Sequence, residues 1–164
     1  MTTKLTVPPR KEFQSFHDLP IVTDLDNIEA DVAILGIPFS DPYSMEEVTN
    51  DQTNAPTSIR RFCQRALRGI ERWDFDVGGQ IFDGKDIRVV DVGDIPGDPR
   101  DMGSHYKKAE QVVRKLLAKN VMPIVLGGDH GIPIPVMRAY EGQGPITLVH
   151  IDAHLDWRDD VNGV

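Results

Sequence analysis

Asp31-Val32-Ala33-Ile34-Leu35-Gly36-Ile37 is the stretch that decides the fold. A strand with one solvated face alternates apolar and polar side chains. This run is apolar almost without a break, which predicts a strand buried on both faces, as in a parallel sheet. Pro38 ends it, having no N–H for a ladder. Working outward, the same signature recurs at Ile87-Arg88-Val89-Val90-Asp91-Val92-Gly93 and at Met122-Pro123-Ile124-Val125-Leu126-Gly127. A fourth run, Ile146-Thr147-Leu148-Val149, is bounded by Gly144-Pro145 and continues to Asp152. Helical patterns fill the intervals. Strands alternating with helices predict an α/β domain of three layers, αβα, with a mostly parallel sheet and helices on both faces.

The first helix is predicted after Asn54, a capping residue, with Pro56 in its first turn and Gly69 as its stop. Ile59, Phe62, Cys63, Ala66 and Leu67 recur at helical spacing as the expected buried stripe, leaving Arg60, Arg61, Arg65 and Arg68 to solvent and local ion pairs. The clearest helix runs from about Ser104 to Asn120, with Tyr106, Ala109, Val112, Val113, Leu116 and Leu117 on one face. A third runs from about Pro133 to Glu141 and closes at Gly142. Gly78-Gly79 and Asp83-Gly84 mark hairpin or loop turns, and Asp94 through Gly103 is a Pro/Gly-rich loop. The connection 38–53 is longer than usual and carries Asp41, Tyr43, Glu46, Glu47, Asn50 and Asp51. It suits substrate contacts and a plain surface excursion equally. Residues 1–30, with Pro8, Pro9 and Pro20, read as an N-terminal arm anchored by Phe13 and Phe16. Residues 31–164 then form part of a single domain.

A chain of 164 residues can bury a sizeable core. Its formal net charge of -8, with no Lys/Arg stripe, argues against a nucleic-acid partner and suits a cationic substrate. The single cysteine, Cys63, excludes an internal disulfide and fits a reducing compartment. Its helical apolar setting reads as core filler rather than nucleophile. Met1-Thr2-Thr3-Lys4 leads into Pro8-Pro9 with no apolar h-region, and no run approaches the ~20 apolar residues that cross a bilayer. The expectation is a cytoplasmic protein without a signal peptide or a membrane partner.

The chemistry gathers at strand ends. His150, Asp152, His154 and Asp156 fall at every second position, so in extended chain they share a face, alternate Cα atoms roughly 6.6 Å apart. Carboxylates and imidazoles so placed can surround a divalent metal, and Asp152 can bridge two ions ~3.5–4 Å apart. Gly127-Gly128-Asp129-His130-Gly131 follows the third strand directly, which puts His130 at the same rim, where open α/β sheets collect functional residues. Asp129 can orient an imidazole or cap the next helix, and is expected to support the ligands. His150 lies deeper in the strand and is expected as a core or supporting histidine rather than a fifth ligand. His17 and His105 are isolated and read as surface residues. There is no Gly-x-Gly-x-x-Gly after the first strand, no Walker loop and no His-Glu-x-x-His helix. Ligand types alone leave a single zinc open.

Gly127-Gly128-Asp129-His130 followed by Asp152-Ala153-His154-Leu155-Asp156 resembles the paired signature of the ureohydrolases, the family of arginase, agmatinase and their guanidino-acid relatives. Val32 to Phe39 resembles the first strand of the agmatinase branch. The resemblance implies an arginase-like fold, incomplete in this chain, which would hold the N-terminal half. It implies two manganese ions, with His130 and Asp156 on one, His154 on the other and Asp152 bridging. It also implies hydrolysis of a small guanidino compound to urea and an amine, and a homo-oligomer. A guanidinium carbon is a poor electrophile because its charge is delocalised, and two divalent ions lower the pKa of a shared water enough to attack it.

Three features depart from the family pattern. Gly131 stands where serine is usual. The stretch Val48-Thr49-Asn50-Asp51-Gln52-Thr53-Asn54-Ala55-Pro56 lacks the Arg-rich, Gly-Pro pattern, which argues against a plain arginase. The second aspartate pair and the catalytic histidine loop are expected beyond Val164. No catalytic residue is therefore assigned within this chain, and residues 1–164 alone are expected to be inactive. The alternatives are a non-catalytic metal-binding or oligomer-interaction protein of the same fold and an unrelated mononuclear metallohydrolase.

Overall fold

The computed structural model describes residues 5–8, 15–39, 51–66, 72–98 and 100–156. Phe13, Leu67, Arg68, Gly69 and the loop positions Asp41 to Asn50 lie outside them. The core sheet is parallel, built from β1 (Val32–Ile37), β4 (Val89–Asp94) and β5 (Met122–Gly127) in the order β4-β1-β5. Every residue of β1 is buried, as its unbroken apolar run requires. The crossover from β1 to β4 carries α1 (Ala55–Ala66), and the return from β4 to β5 carries α2 (Met102–Ala118). The two crossovers run in opposite directions across the sheet. Right-handed connection therefore assigns them opposite faces, giving the three layers. The short hairpin β2 (Trp73–Asp74) with β3 (Gly79–Gln80) turns at Gly78, whose φ of +70° suits glycine.

Among the described residues the core centres on an apolar cluster that includes Ala33, Leu35, Ile37, Val90, Val92, Val112, Val113 and Leu116. The face predicted for the long helix is the face that α2 buries, with Leu117 packed at its margin and Asp101 capping it through the Ser104 N–H. Residues 133–138 form α3, shorter than the Pro133–Glu141 expectation. Turns carry the chain from there to Gly142, where φ is +84°. Two pieces of the N-terminal segment close the outer edge of β4. Val7 exchanges two backbone hydrogen bonds with Asp94, and Asp91 pairs with Pro20 and Val22. Open strand edges invite unwanted pairing, and these short additions blunt this one. Leu25, Ile28 and Ala30 go further and enter the core.

Three expectations are corrected. The first is the stripe on α1: Ile59 and Phe62 are 39% and 57% exposed, whereas Arg60 is fully buried. The reason lies in β4. Its register against β1 slips between Ile34 and Leu35, so that Asp91 faces Ile34 and Asp94 faces Gly36. Residues three apart on a regular strand point to opposite sides, but the extra residue of this bulge turns Asp91 and Asp94 to the same side. Arg60 answers both carboxylates, with Nε 2.8 Å from Asp91 and Nη1 2.6 Å from Asp94. Gly93 sits in the bulge at φ +82°, and a Cβ there would collide with the Val7 carbonyl.

The second correction is His105, which is fully buried against Phe39 rather than on the surface. Burial pushes its imidazole down to about 4, with Lys108 adding to the effect and the Phe39 backbone opposing it. His17 is also not a plain surface residue. It is half-buried, edge-on to Phe16, and its backbone N–H reaches Cys63 Sγ at 3.4 Å.

The third concerns the run from Ile146 to Asp152, which has no ladder partner among the described residues and joins no sheet. Leu148, Val149 and Ile151 are 65%, 77% and 94% exposed. A strand exists through its hydrogen-bonded neighbour, so an apolar sequence without one forms no strand. Among the described residues β5 consequently keeps an open edge, with Met122 and Ile124 exposed.

Candidate metal centre

β5 delivers the first candidate ligand. Its last residue, Gly127, and the next, Gly128, both stand in close quarters, and at Gly128 the neighbour is backbone. A Cβ on Gly127 would strike Ile132, and one on Gly128 would stand 2.9 Å from the Pro38 carbonyl oxygen. The backbone of the β5 loop thus lies directly on the backbone that leaves β1. Asp129 then turns the chain: it is buried, its Oδ1 accepts the Gly131 N–H at 2.8 Å, and its carbonyl accepts from Ile132. This Asx turn lifts His130 out of the strand line at the carboxyl rim.

His130 meets the segment that follows α3. Its Nδ1 lies 3.0 Å from Asp156 Oδ2 and 3.5 Å from Asp152 Oδ2. His150 Nε2 approaches the same two oxygens at 3.4 and 3.8 Å. One donor atom from each of His130, His150, Asp152 and Asp156 lies within 4.8 Å of every other. His154 stands apart from that set. Its ring is 82% exposed and its Nδ1 faces the other oxygen of Asp152 at 3.4 Å.

Local backbone chemistry accounts for this arrangement. Asp152 Oδ1 accepts the His154 N–H at 2.8 Å, a second Asx turn, and Asp156 takes a left-handed conformation at φ +48°. Strict alternation is broken, so His154 swings aside and His150 takes a place beside Asp152. An aspartate two residues ahead of an N–H was the signal for such a turn. The His154 N–H holds the Asp152 carboxyl below its ordinary range. Desolvation opposes that, and the charges of His130, His150 and His154 reinforce it.

With neutral imidazoles the four side chains carry two negative charges in a space under 5 Å across, which a divalent cation neutralises. Two donors each about 2.2 Å from one ion lie at most about 4.4 Å apart. The observed 4.8 Å is within a small side-chain adjustment of enclosing an ion. Hard oxygen donors with imidazole suit manganese or zinc, and nothing in the set requires a soft metal. The residues fit a metal.

A family model described as Arginase family matches residues 30–163. The mitochondrial agmatinase of Gallus gallus is 29% identical over 169 residues, covering 96% of this chain and 45% of its own length. The guanidinobutyrase of Pseudomonas aeruginosa is 30% identical over 151 residues, covering 88% of this chain and 43% of its own. The solved structure of proclavaminate amidino hydrolase from Streptomyces clavuligerus superposes with a TM-score of 0.65 at 30% identity, over 92% of this chain and 46% of that one. The chain spans less than half the length of each of these relatives.

Proposed function

The chain belongs to the arginase family, and from that premise we propose that it carries part of the metal centre of a ureohydrolase acting on a small guanidino compound. The observation that carries this reading is the convergence of His130, from the end of β5, with Asp152 and Asp156, from a separate segment. The relatives' names, agmatinase and guanidinobutyrase, support the guanidino class. The formal charge of -8 favours approach of a cationic substrate.

In this proposal the complete protein binds two manganese ions, and further ligands join the set described above. Manganese, when bound, supplies Lewis-acid activation of water and stabilises developing negative charge. The residues of this chain prepare that chemistry. Asp152, whose carboxyl the His154 N–H and the surrounding imidazoles hold below its ordinary range, would bridge the ions, and His130 and Asp156 would hold one of them. His154 is assigned to the other side. His150 steadies Asp152 and Asp156. Asp129 holds the turn that presents His130. A homo-oligomer in a reducing, cytoplasmic compartment belongs to the same proposal. Among the described residues no helix is long and apolar enough to cross a membrane.

The test is urea release by the complete protein across a panel of agmatine, guanidinobutyrate, guanidinopropionate and arginine, before and after exhaustive chelation and manganese return. Manganese-dependent urea from one of the first three is the expected result. Undiminished turnover after chelation, or manganese binding without urea from any guanidino compound, overturns it.

A further inference from the structure

The rim that carries His130 rests on a buried imidazole that the proposed chemistry does not use. His105, in the first turn of α2, is fully buried, and among the described residues neither ring nitrogen has a hydrogen-bond partner. A buried polar group left unpaired calls for an explanation. The ring meets Phe39 edge-on, centroids 5.2 Å apart at 76°. On another side it fills the space that a side chain at position 97 would need, since a Cβ on Gly97 would collide with Nδ1. The imidazole is wedged between the loops that leave the carboxyl ends of β1 and β4.

Those loops lead to the metal rim. Pro38, next to Phe39, lies against the β5 loop so closely that a Cβ on Gly128 would stand 2.9 Å from the Pro38 carbonyl oxygen and 3.1 Å from that of Ile37. Gly128 precedes His130 by two residues. Close-packed interiors transmit such displacements rather than absorb them.

We propose that His105 is a positioning residue for the metal-binding rim: its ring is a rigid spacer that sets the Pro38–Phe39 turn and, through Gly128, the place of His130. The proposal rests on His130 being a metal ligand. Among the described residues no hydrogen bond of good geometry fixes the ring, the Phe39 backbone being the smallest influence on it, so it works through its volume. A leucine of similar size should therefore replace it and an alanine should not.

The experiment uses the complete protein and manganese chloride, with affinity read by calorimetry. His105→Ala is expected to weaken manganese binding about tenfold, the lower end for residues that orient ligands from outside the metal's own shell. His105→Leu should recover affinity to within about twofold of wild type. Phe39→Ala should resemble His105→Ala, and the double variant should lose little more than either single one, as coupled neighbours do. A lower melting temperature in His105→Ala with manganese affinity unchanged overturns the proposal, since a merely structural residue would behave that way. Failure of His105→Leu to recover affinity, or full additivity with Phe39→Ala, overturns it too. Wild-type protein that binds manganese but releases no urea sinks the proposed function and leaves this one to the affinity data. Wild-type protein that binds no manganese sinks both.

Discussion

Arg60 and Asp91 form a bidentate pair, Nε to Oδ2 at 2.8 Å and Nη2 to Oδ1 at 2.9 Å, with both side chains fully buried. Burial alone would push the guanidinium's pKa down, but the hydrogen bonds to Asp91 and the charges of Asp91 and Asp94 outweigh it and raise it. Asp91 Oδ2 also accepts the Phe16 N–H, so one ion pair ties α1, β4 and the N-terminal segment together.

Removing one partner of this pair leaves the other buried and uncompensated. Arg60→Met is expected to destabilise the protein by roughly 3–5 kcal/mol, measured by urea denaturation. The double variant Arg60→Met, Asp91→Leu should recover most of that loss. A single-variant cost below about 1 kcal/mol would mean the pair is not desolvated as described.

His105 gives stability a dependence on acid. Its folded value of about 4 lies below the ordinary 6.5, so between those pH values the unfolded chain takes up a proton that the native one refuses. The contribution is complete above pH 6.5 and is lost as pH falls toward 4. Unfolding free energy in wild type should therefore drop further between pH 7 and pH 4.5 than in His105→Leu, by an amount on the order of 2 kcal/mol after allowance for screening, read from urea denaturation at each pH. Parallel curves for the two proteins would contradict the assignment.

Asp152 faces three imidazoles, those of His130, His150 and His154, whereas Asp156 faces two. As the proposed bridging carboxylate it should matter more. Asp152→Asn is expected to lower manganese stoichiometry and cut turnover at least tenfold further than Asp156→Asn. Equal metal content in the two variants would remove Asp152 from the bridging role.

His150 and His154 compete for one place in the metal set. With His154 the ligand and His150 the supporting residue, His154→Asn should reduce the number of manganese ions bound. His150→Asn should keep the number and weaken affinity by about tenfold. The reverse pattern, read by metal analysis after gel filtration, would assign the ligand to His150, as the four-residue grouping arranges it.

Residues 1–164 prepared alone are expected to self-associate. Among the described residues the edge of β5 is open at Met122 and Ile124, and Ile146, Leu148, Val149, Ile151 and Leu155 are between 49% and 94% exposed. Unpaired apolar strands are aggregation sites. A monodisperse, cooperatively melting monomer in the ultracentrifuge would refute this.

Much of the architecture was legible because its causes are local. β5 falls where its apolar run ends at Gly127, and α2 buries the stripe that its 3.6-residue period marks out. The rim followed from the same logic: His130 comes directly after the parallel strand β5, at the end where such sheets collect functional residues. The stripe on α1 misled because period reports which face is apolar, not what the sheet offers it. Once the bulge had turned Asp91 and Asp94 to one side, a buried arginine there was more stable than a buried phenylalanine.

The sequence by itself determined the strands β1, β4 and β5, the helix α2 and the kinds of donor atom available at the rim, since these depend on side-chain type and spacing along a few neighbouring residues. Tertiary structure alone decided that Arg60 lies inside, that His105 is a buried wedge and that the run from Ile146 to Asp152 stands unpaired among the described residues. It also decided which imidazole flanks Asp152, because the Asx turn at Asp152 and the left-handed Asp156 override strand alternation. In each case the outcome rests on a partner distant in sequence, or on whether a neighbouring strand supplies the hydrogen bonds, and neither is written in the local pattern.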